Sequence, residues 1–256
     1  MTIRHPLVLA GARIAVVIPS YNEARWIGET VSTLPAFVDT IVVVDDASSD
    51  DTSLRAREAG GDRVRVVRHP ENRGVGAAIA TGYREAHARG ADVIAVMAGD
   101  GQMHPDDLEG VVRPVIEGHF DYVKGNRLRH ADVLGTMPFF RMLAGHALGF
   151  LTGVAIGRAG LSDSQCGYTA IASRVVPDLD LASLWPRYGY PNDLLAMIAR
   201  GGFSIGEVRV RPVYRGEASG VRPWHAGTVL FLIGRAALRR AVAPGAPSRI
   251  VAQPRG

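Results

Sequence analysis

The sequence predicts an α/β protein in which helices cover a mostly parallel sheet. Two observations indicate this class. Uncharged apolar runs recur in the first half of the chain, and each is followed by a segment with helical spacing or helix-capping residues. Such runs are typical of strands buried on both faces, as in parallel sheets, and their alternation with helices is typical of strand–helix–strand units.

The first half of the chain is predicted to alternate strand and helix throughout. The strands are expected at residues 14–18, 41–44, 64–67 and 93–97. The helices are indicated by Ile27, Val31 and Leu34, by the caps Asp50 and Asp51, by Val75, Ile79 and Ala86, and by Pro105 ahead of Asp106 and Asp107. Ligands of parallel sheets bind at the carboxyl ends of the strands, so the residues after each strand are the first site candidates.

The second half is less regular. It is predicted to contain a strand with a basic turn at 121–129, an apolar helix at 139–157 and an edge strand at 203–211. Glycines occupy every fourth position of the apolar helix from 145 to 157. A stripe of small residues permits close packing, and we expect it to press this helix against the sheet rather than to mediate a membrane dimer.

Residues 226–242 are predicted to form a C-terminal amphipathic helix that carries Arg235, Arg239 and Arg240. Two interpretations of these arginines remain open. They can lie at a bilayer surface and pair with lipid phosphate, or they can extend to solvent from a helix packed on the core. Residues 243–256 are expected to form a flexible tail.

Composition limits the classes of protein that fit. The 256 residues are 47% hydrophobic and 21% charged, which predicts one packed domain over residues 1–242. A single cysteine, Cys166, excludes an internal disulfide framework and fits a reducing compartment. We expect no signal peptide and a cytoplasmic location, either free or peripheral on the cytoplasmic face of the membrane. The net charge of +4 suits an acidic partner, such as a nucleotide or a phospholipid surface.

Polar residues cluster at the predicted strand ends. They are Tyr21 and Glu23, Asp45 and Asp46, Asn72 and Arg73, and Asp100 and Gln102. An aromatic ring can stack on a base, carboxylates can accept from a base or a ribose, and an arginine can bind a diphosphate. Carboxylate and amide oxygens suit Mg²⁺ or Mn²⁺. The set predicts a nucleotide site, and the absence of G-x-G-x-x-G after the first strand disfavours a dinucleotide dehydrogenase.

Helix capping is the alternative explanation of these carboxylates. It accounts for the aspartates at 50, 51, 106 and 107, but not for Asp45, Asp46 and Asp100, which end apolar strands. Gly74 and Gly76 are expected to leave room for a diphosphate at a helix N-terminus. Three histidines are expected to be surface residues without partners: His69, His87 and His104.

Four motifs in this order and spacing resemble family 2 glycosyltransferases. They are IPSYNEARWI, VVVDDASSDDT, ENRGVGAAIATG and VMAGDGQMHPDDL. The likeness extends from about Ile14 to Arg222 and is strongest to polyprenyl-phosphate sugar transferases of the dolichol-phosphate mannose synthase type. It implies a GT-A fold, a GDP- or UDP-linked sugar donor, an Mg²⁺ or Mn²⁺ ion, and inversion at the anomeric carbon. It also implies a polyprenyl-phosphate acceptor, peripheral contact with a membrane surface, and no nucleic-acid partner.

The resemblance also assigns roles. It divides the domain into a donor half, about 13–120, and an acceptor half, 121–225. Donor contacts are implied at Pro19, Tyr21, Glu23, Asp45, Asp46, Arg73 and Asp100. Asp100 and Gln102 match the second aspartate and the glutamine of a D-x-D-x-Q metal motif, while Ala98 stands in place of the first aspartate. One carboxylate fewer implies weaker metal binding.

On the acceptor side, Arg127 resembles the arginine of a G-S-R turn that meets the acceptor phosphate. Asp163 and Gln165 resemble a stretch beside the transferred sugar, and Asp193 falls where the family carries its general base. If the acceptor is a phosphate, Asp193 orients groups rather than abstracting a proton, because the attacking oxygen is already anionic. A loop that closes over the donor phosphates is implied at Arg215, Ser219 and Arg222.

Other functions remain open at this point. A glycosyltransferase acting on a soluble hydroxyl acceptor is one alternative. A non-catalytic nucleotide-sugar binding protein is another, and Ala98 motivates it. A nucleotidyltransferase fits less well because its glycine-rich first loop is absent.

Overall fold

The computed structural model describes residues 11–130, 133, 137, 139–158, 160–213 and 223–242. Its strands are β1 (Ile14–Ser20), β2 (Thr40–Asp45), β3 (Val64–Arg68), β4 (Val93–Val96), β5 (Tyr122–Asn126), β6 (Thr169–Ala172) and β7 (Ile205–Arg209). Its helices are α1 (Ile27–Ser32), α2 (Thr52–Gly60), α3 (Val75–Ala88), α4 (Leu108–Ile116), α5 (Phe139–Ile156), α6 (Tyr190–Arg200) and α7 (Pro223–Val242). The predicted tail lies outside the described residues.

The strands form one sheet in the order β3-β2-β1-β4-β6-β5-β7. β6 runs antiparallel to β4 and β5, and the remaining pairs are parallel. The mostly parallel sheet and the strand–helix alternation of the first half are therefore confirmed, as is β7 at an edge. β6 was not predicted, because its four-residue run is too short to distinguish from a loop by pattern.

Complete burial of the central strands explains why they carry no charge. Every side chain from Ile14 to Ile18 is at most 1% exposed. Helix α3 lies directly on β1, where a Cβ at Gly82 would come within 2.2 Å of Val17 Cγ1. A glycine is required at this close approach, which lies near the middle of both α3 and β1.

The glycine stripe of α5 faces a neighbouring segment of the chain rather than the sheet. A Cβ at Gly149 would lie 2.2 Å from the Ser162 carbonyl oxygen, and one at Gly153 would lie 2.5 Å from that of Arg158. Close packing is thus confirmed, but the expected partner was wrong. The physical reason is that the segment after α5 folds back over its glycines, while α5 also packs against α6 and α7.

Helix α7 is packed on the core along one face. Val229, Leu232, Ile233 and Ala236 are buried there, while Leu238 on the outer side is 66% exposed. In the described part of the chain, none of the helices combines the length and hydropathy needed to cross a bilayer.

Candidate active site at the strand ends

The loops that follow β1 and β2 are bound to each other. The backbone N–H of Asn22 donates to Ser48 Oγ over 3.0 Å, and that of Glu23 donates to Thr52 Oγ1 over 2.8 Å. Asn22 has a φ of 56°, and its side chain accepts from Ser49. These bonds fix the backbone around Tyr21, a residue that is 49% exposed. Tyr21 and Glu23 therefore lie at the carboxyl edge of the sheet, as the sequence predicts.

Asp45 is fully buried at the end of β2 and is held by the protein itself. Its carboxylate accepts from Ser48 N–H over 2.7 Å, from the Ser53 hydroxyl, and from Arg68 Nη1 over 2.8 Å. Burial raises the pKa of Asp45, but the hydrogen bonds from Ser48 and Ser53 and the charge of Arg68 outweigh it, so the pKa lies below its ordinary value. The carboxylate thereby organises the loop after β2.

Asp46 joins the end of β2 to the start of α3. Its Oδ1 accepts from Arg73 N–H over 2.9 Å and its Oδ2 from Gly74 N–H over 2.6 Å. His69 Nδ1 lies 2.7 Å from the same Oδ1, and His69 Nε2 lies 3.0 Å from Thr81 Oγ1. The expectation that His69 is a partnerless surface residue was wrong, because the ring fills a buried gap between β3 and α3.

The other two histidines also have partners. His87 Nδ1 lies 3.0 Å from Ser173 Oγ, and His104 Nδ1 accepts from the Asp106 N–H over 3.3 Å. His104 thus caps the short 3-10 helix that precedes α4. Neither contact is visible in the sequence, because a ring nitrogen can bond to a hydroxyl or a backbone amide without a fixed spacing.

The N-terminus of α3 is covered by a loop, so the room expected there for a diphosphate does not exist. The Pro186 carbonyl accepts from Gly76 N–H over 2.8 Å and from Ala77 N–H over 3.4 Å. A Cβ at Gly74 would lie 2.4 Å from the Pro186 oxygen, and one at Gly76 would lie 2.2 Å from the Trp185 oxygen. The glycines make room for backbone. Arg73, directly before them, is exposed.

The loop after β4 carries the candidate metal ligands. Asp100 Oδ1 accepts from Gln102 N–H over 2.9 Å, and both side chains are half-buried. Gly99 lies under the β1 loop, where a Cβ would be 2.8 Å from Ser20 Oγ. No group of three or more His, Cys, Asp or Glu suited to a metal occurs among the described residues. Asp100 and Gln102 supply hard oxygen donors that fit Mg²⁺ or Mn²⁺, but not a complete shell.

Arg127 and Asp163 form a bidentate ion pair on the acceptor side. Arg127 Nε lies 3.0 Å from Asp163 Oδ2, and Nη2 lies 3.2 Å from Oδ1. Asp163 is 1% exposed. Burial raises its pKa, but the charge and hydrogen bonds of Arg127 hold that pKa below the ordinary value. The two residues that the sequence assigned to phosphate and sugar are therefore bonded to each other.

Polar side chains of β5 and β7 form hydrogen bonds next to this ion pair. Burial lowers the pKa of Lys124, whose ammonium group donates to the Cys166 carbonyl. Glu207 on β7 accepts from Asn126 Nδ2 over 3.0 Å and from Ser162 N–H over 3.1 Å. These bonds join β5 and β7 to the segment before Asp163. The sequence reasoning missed Glu207, because a lone glutamate in an alternating strand is typical of a solvated face.

Gln165 and Asn192 link the same segment to helices α6 and α5. Gln165 Nε2 donates to Asn192 Oδ1 over 2.6 Å, and Asn192 Nδ2 donates to Thr152 Oγ1 over 2.7 Å. Asn192 and Thr152 are each 1% exposed. The structure thus places Gln165 beside Asn192, the residue that precedes Asp193 on α6.

Both oxygens of Asp193 have partners within the fold. Oδ2 accepts from Trp185 N–H over 2.8 Å, and Oδ1 lies 2.5 Å from Arg235 Nη2 on α7. Asp193 is 5% exposed and lies in the first turn of α6. Arg235 is therefore an internal partner of a carboxylate, while Arg240 donates to the Val154 carbonyl over 3.0 Å. The helix is packed on the core, but these two arginines contact groups of the protein rather than only solvent.

Arg215, Ser219 and Arg222, the predicted diphosphate loop, lie outside the described residues. Of the site residues that the structure does describe, those on the donor side lie at the ends of β1 and β2 or in the loops after β1, β2, β3 and β4. These four strands are consecutive neighbours in the sheet order. The acceptor-side residues lie after β5 and at the start of α6.

Comparison with known proteins identifies the family. Residues 15–166 match the family described as "Glycosyl transferase family 2". The chain belongs to this family. It is 29% identical over 221 residues to a UDP-N-acetylglucosamine–dolichyl-phosphate N-acetylglucosaminyltransferase of Methanococcus voltae, covering 80% of this chain and 88% of that protein. It is 30% identical over 206 residues to polyprenol monophosphomannose synthase of Mycolicibacterium smegmatis, covering 77% and 76%.

Solved structures show the same fold. Glucosyl-3-phosphoglycerate synthase from Mycobacterium tuberculosis, in complex with phosphoglyceric acid, superimposes with a TM-score of 0.66 at 23% identity over 90% of this chain and 81% of that one. The expected GT-A fold is confirmed. This protein is a glycosyltransferase, as the family match shows.

Proposed function

We propose that this family 2 glycosyltransferase moves a sugar from a UDP- or GDP-linked donor to polyprenyl phosphate, with inversion at the anomeric carbon. Relatives that span most of the chain support the proposal. Two are named for dolichyl phosphate or polyprenol monophosphate, and the chain covers 88% and 76% of their lengths.

The position of Asp193 carries the proposal in the structure. A hydroxyl acceptor must lose its proton as it attacks, and general-base help is worth about 10²- to 10⁴-fold in rate. Asp193 is the candidate base, but Trp185 and Arg235 engage both of its oxygens and leave it 5% exposed. A phosphate oxygen is already anionic and needs no base. The arrangement therefore favours a phosphate acceptor, with Asp193 as an orienting group.

On the donor side, we assign direct contact to exposed or half-buried groups. Tyr21 stacks on the base, with Pro19 and Glu23 beside it, and the Arg73 guanidinium meets the diphosphate. We assign Asp45 and Asp46 an indirect role, because their carboxylates bind the backbone of the loops that carry the contacting side chains.

We assign the divalent ion to Asp100 and Gln102, whose oxygen donors suit Mg²⁺ or Mn²⁺. When bound, the ion neutralises charge on the diphosphate leaving group. Structures of the Mycobacterium tuberculosis synthase contain Mn²⁺ with UDP-glucose or Mg²⁺ with UDP. Ala98 supplies no ligand, so the chain itself contributes one carboxylate to this site.

On the acceptor side, the Arg127 side chain is 26% exposed while it holds Asp163. We assign the exposed part of the guanidinium to the acceptor phosphate and Asp163 with Gln165 to the floor beneath the transferred sugar. Arg215 and Arg222 remain predicted donor-phosphate contacts.

Helices α5 and α7 supply the surface for a lipid acceptor. They pack together and expose large apolar side chains: Phe140, Leu143, Phe150, Val154, Leu230, Phe231, Leu238 and Val242. A monomeric protein rarely exposes so many apolar side chains on two adjoining helices without a partner. We propose that this apolar face rests on the cytoplasmic side of a membrane, where polyprenyl phosphate resides.

A donor and acceptor panel tests the function. The protein is incubated with labelled UDP-N-acetylglucosamine, UDP-glucose and GDP-mannose, each with Mn²⁺ and with or without polyprenyl phosphate. We expect label in the organic phase with one donor and only when polyprenyl phosphate is present. Transfer to a soluble hydroxyl acceptor alone, or donor binding without transfer, would contradict the proposal.

A further inference from the structure

Residues 185–187 form a loop that bridges helix α3 and helix α6. On the α3 side, the Pro186 carbonyl caps the helix by accepting from Gly76 N–H over 2.8 Å. On the α6 side, the Trp185 N–H donates to Asp193 Oδ2 over 2.8 Å. A shift of Asp193 is therefore transmitted to the first turn of α3 through two consecutive residues.

Arg235 holds the α6 side of this bridge from helix α7. Its Nη2 lies 2.5 Å from Asp193 Oδ1, and its guanidinium carbon lies 5.9 Å from the centre of the Trp185 ring. Phe231, one turn earlier on α7, has its ring 6.3 Å from the same indole. A buried carboxylate that loses its charge partner is left uncompensated, and such a group moves or takes up a proton. Arg235 is thus the charge partner of Asp193 across the contact between α6 and α7.

The α3 side of the bridge ends at the turn that carries Arg73. Asp46 accepts from Arg73 N–H and Gly74 N–H, which fixes this turn from the β2 side. Pro186 closes it from the opposite side, since a Cβ at Gly74 would come within 2.4 Å of its oxygen. The turn is therefore clamped between a carboxylate of the sheet and a loop that Arg235 holds in place.

We propose that Arg235 is a positioning residue for the donor side of the site. By holding Asp193 and Trp185, it keeps Pro186 on α3 and fixes the turn that presents Arg73. The assignment of Arg73 to the donor rests on the proposed function. The clamp itself rests only on the contacts of the folded chain, so the two are tested separately.

Amide hydrogen exchange tests the clamp without any ligand. Arg235→Met should speed exchange at Gly76 and Ala77 by about tenfold, because side chains within a contact network couple by factors of about 2 to 30. Arg240→Met is the matched control, since Arg240 lies on the same helix but bonds to the Val154 carbonyl. The Met97 amide, bonded to the Val17 carbonyl over 3.0 Å, reports any general loosening of the sheet.

Donor binding tests the consequence for the site. UDP and GDP, each with Mn²⁺, are titrated into the wild type and the variants. Arg235→Met should weaken binding of the preferred nucleotide about tenfold and raise the donor KM more than the acceptor KM. Arg235→Lys keeps a charge near Asp193 and should restore part of the loss. Gly76→Ala places a Cβ 2.2 Å from the Trp185 oxygen, so it should displace the loop from the other side and weaken binding in the same way.

The outcomes separate the two ideas. If exchange at Gly76 and Ala77 rises no more in Arg235→Met than in Arg240→Met, the clamp is refuted. Should Arg235→Met fail to fold, Arg235→Lys and Gly76→Ala decide the same point, and unchanged exchange and nucleotide affinity in both would refute it. Faster exchange with unchanged affinity would refute the link to the donor. A wild type that binds nucleotide but transfers no sugar to polyprenyl phosphate would overturn the proposed function alone.

Discussion

Removing the Arg127 side chain should lower the stability of the fold and also weaken acceptor binding. One guanidinium is expected to stabilise the buried Asp163 carboxylate and to bind the acceptor phosphate. Asp163 is 1% exposed in the wild type, and Arg127→Ala removes its charge partner and two hydrogen bonds. Breaking a buried pair costs roughly 3–5 kcal/mol. The backbone N–H groups of Gln165 and Cys166 still donate to Asp163, so we expect the low end, about 3 kcal/mol. In a chain of this size that lowers Tm by about 6–12 °C.

The pH dependence of unfolding gives a second readout of the same pair. The pKa of Asp163 is lowered in the folded protein. Its stabilising contribution is therefore present above the unfolded pKa of about 3.9 and is lost as the pH falls through the folded value. Thermal unfolding at pH 7 and at stepwise lower pH should show the gap between wild type and Arg127→Ala shrinking on the acid side. A gap that is constant with pH would show that the charge of Asp163 is not involved.

Activity completes this test. Arg127→Ala should raise the acceptor KM steeply, measured below its Tm, whereas Asp193→Asn should cost much less than the 10²- to 10⁴-fold expected, as an order of magnitude, for loss of a general base. Arg129→Ala is the matched control, because Arg129 lies two residues on and is exposed, and its side chain donates to the Gly160 carbonyl over 3.3 Å rather than to a buried carboxylate. An inactive Asp193→Asn beside a healthy Arg127→Ala would refute the reasoning and favour a hydroxyl acceptor.

Two further predictions concern the metal and the membrane. Asp100→Ala should abolish turnover and Mn²⁺-dependent nucleotide binding, while Ala98→Asp should tighten Mn²⁺ binding. Calorimetric titration with Mn²⁺ checks both variants. Nucleotide binding that still depends on Mn²⁺ in Asp100→Ala would place the ion elsewhere. The double variant Phe150→Asp with Leu238→Asp should lower co-sedimentation with anionic vesicles about tenfold or more. Leu54→Asp, at a 51% exposed residue of α2, is the matched control, and equal pelleting of both variants would contradict the proposed membrane face.

The strands and helices of the donor half could be predicted because the burial of each element leaves a clear pattern of apolar residues in the sequence. The uncharged runs at 14–18 and 41–44 are fully buried strands, and no other element suits them. Strand β6 escaped prediction because Thr169–Ala172 offers four residues without alternation, and its place between β4 and β5 depends on pairing with distant segments. The partner of the α5 glycine stripe was missed for the same reason.

The location of the site followed from the sequence, but its internal bonds did not. Parallel strands bring their carboxyl ends together, so Asp45, Asp46 and Asp100 could be placed at one edge. Whether a carboxylate faces a ligand or a protein donor depends on contacts far apart in sequence. The His69 ring on Asp46 and the Arg235 guanidinium on Asp193 are such contacts. No spacing rule connects these residues, and each contact occupies a carboxylate oxygen that the sequence alone leaves open to a ligand.

The most direct test of the account is to identify both products of one turnover. The wild-type protein is incubated with its preferred nucleotide sugar, Mn²⁺ and polyprenyl phosphate, and the lipid and nucleotide products are quantified together. The account predicts a polyprenyl phosphate carrying one sugar with an inverted anomeric centre, and one nucleoside diphosphate released for each sugar transferred. Release of nucleoside monophosphate with a lipid diphosphate product, or nucleoside diphosphate release without any lipid-linked sugar, would contradict it.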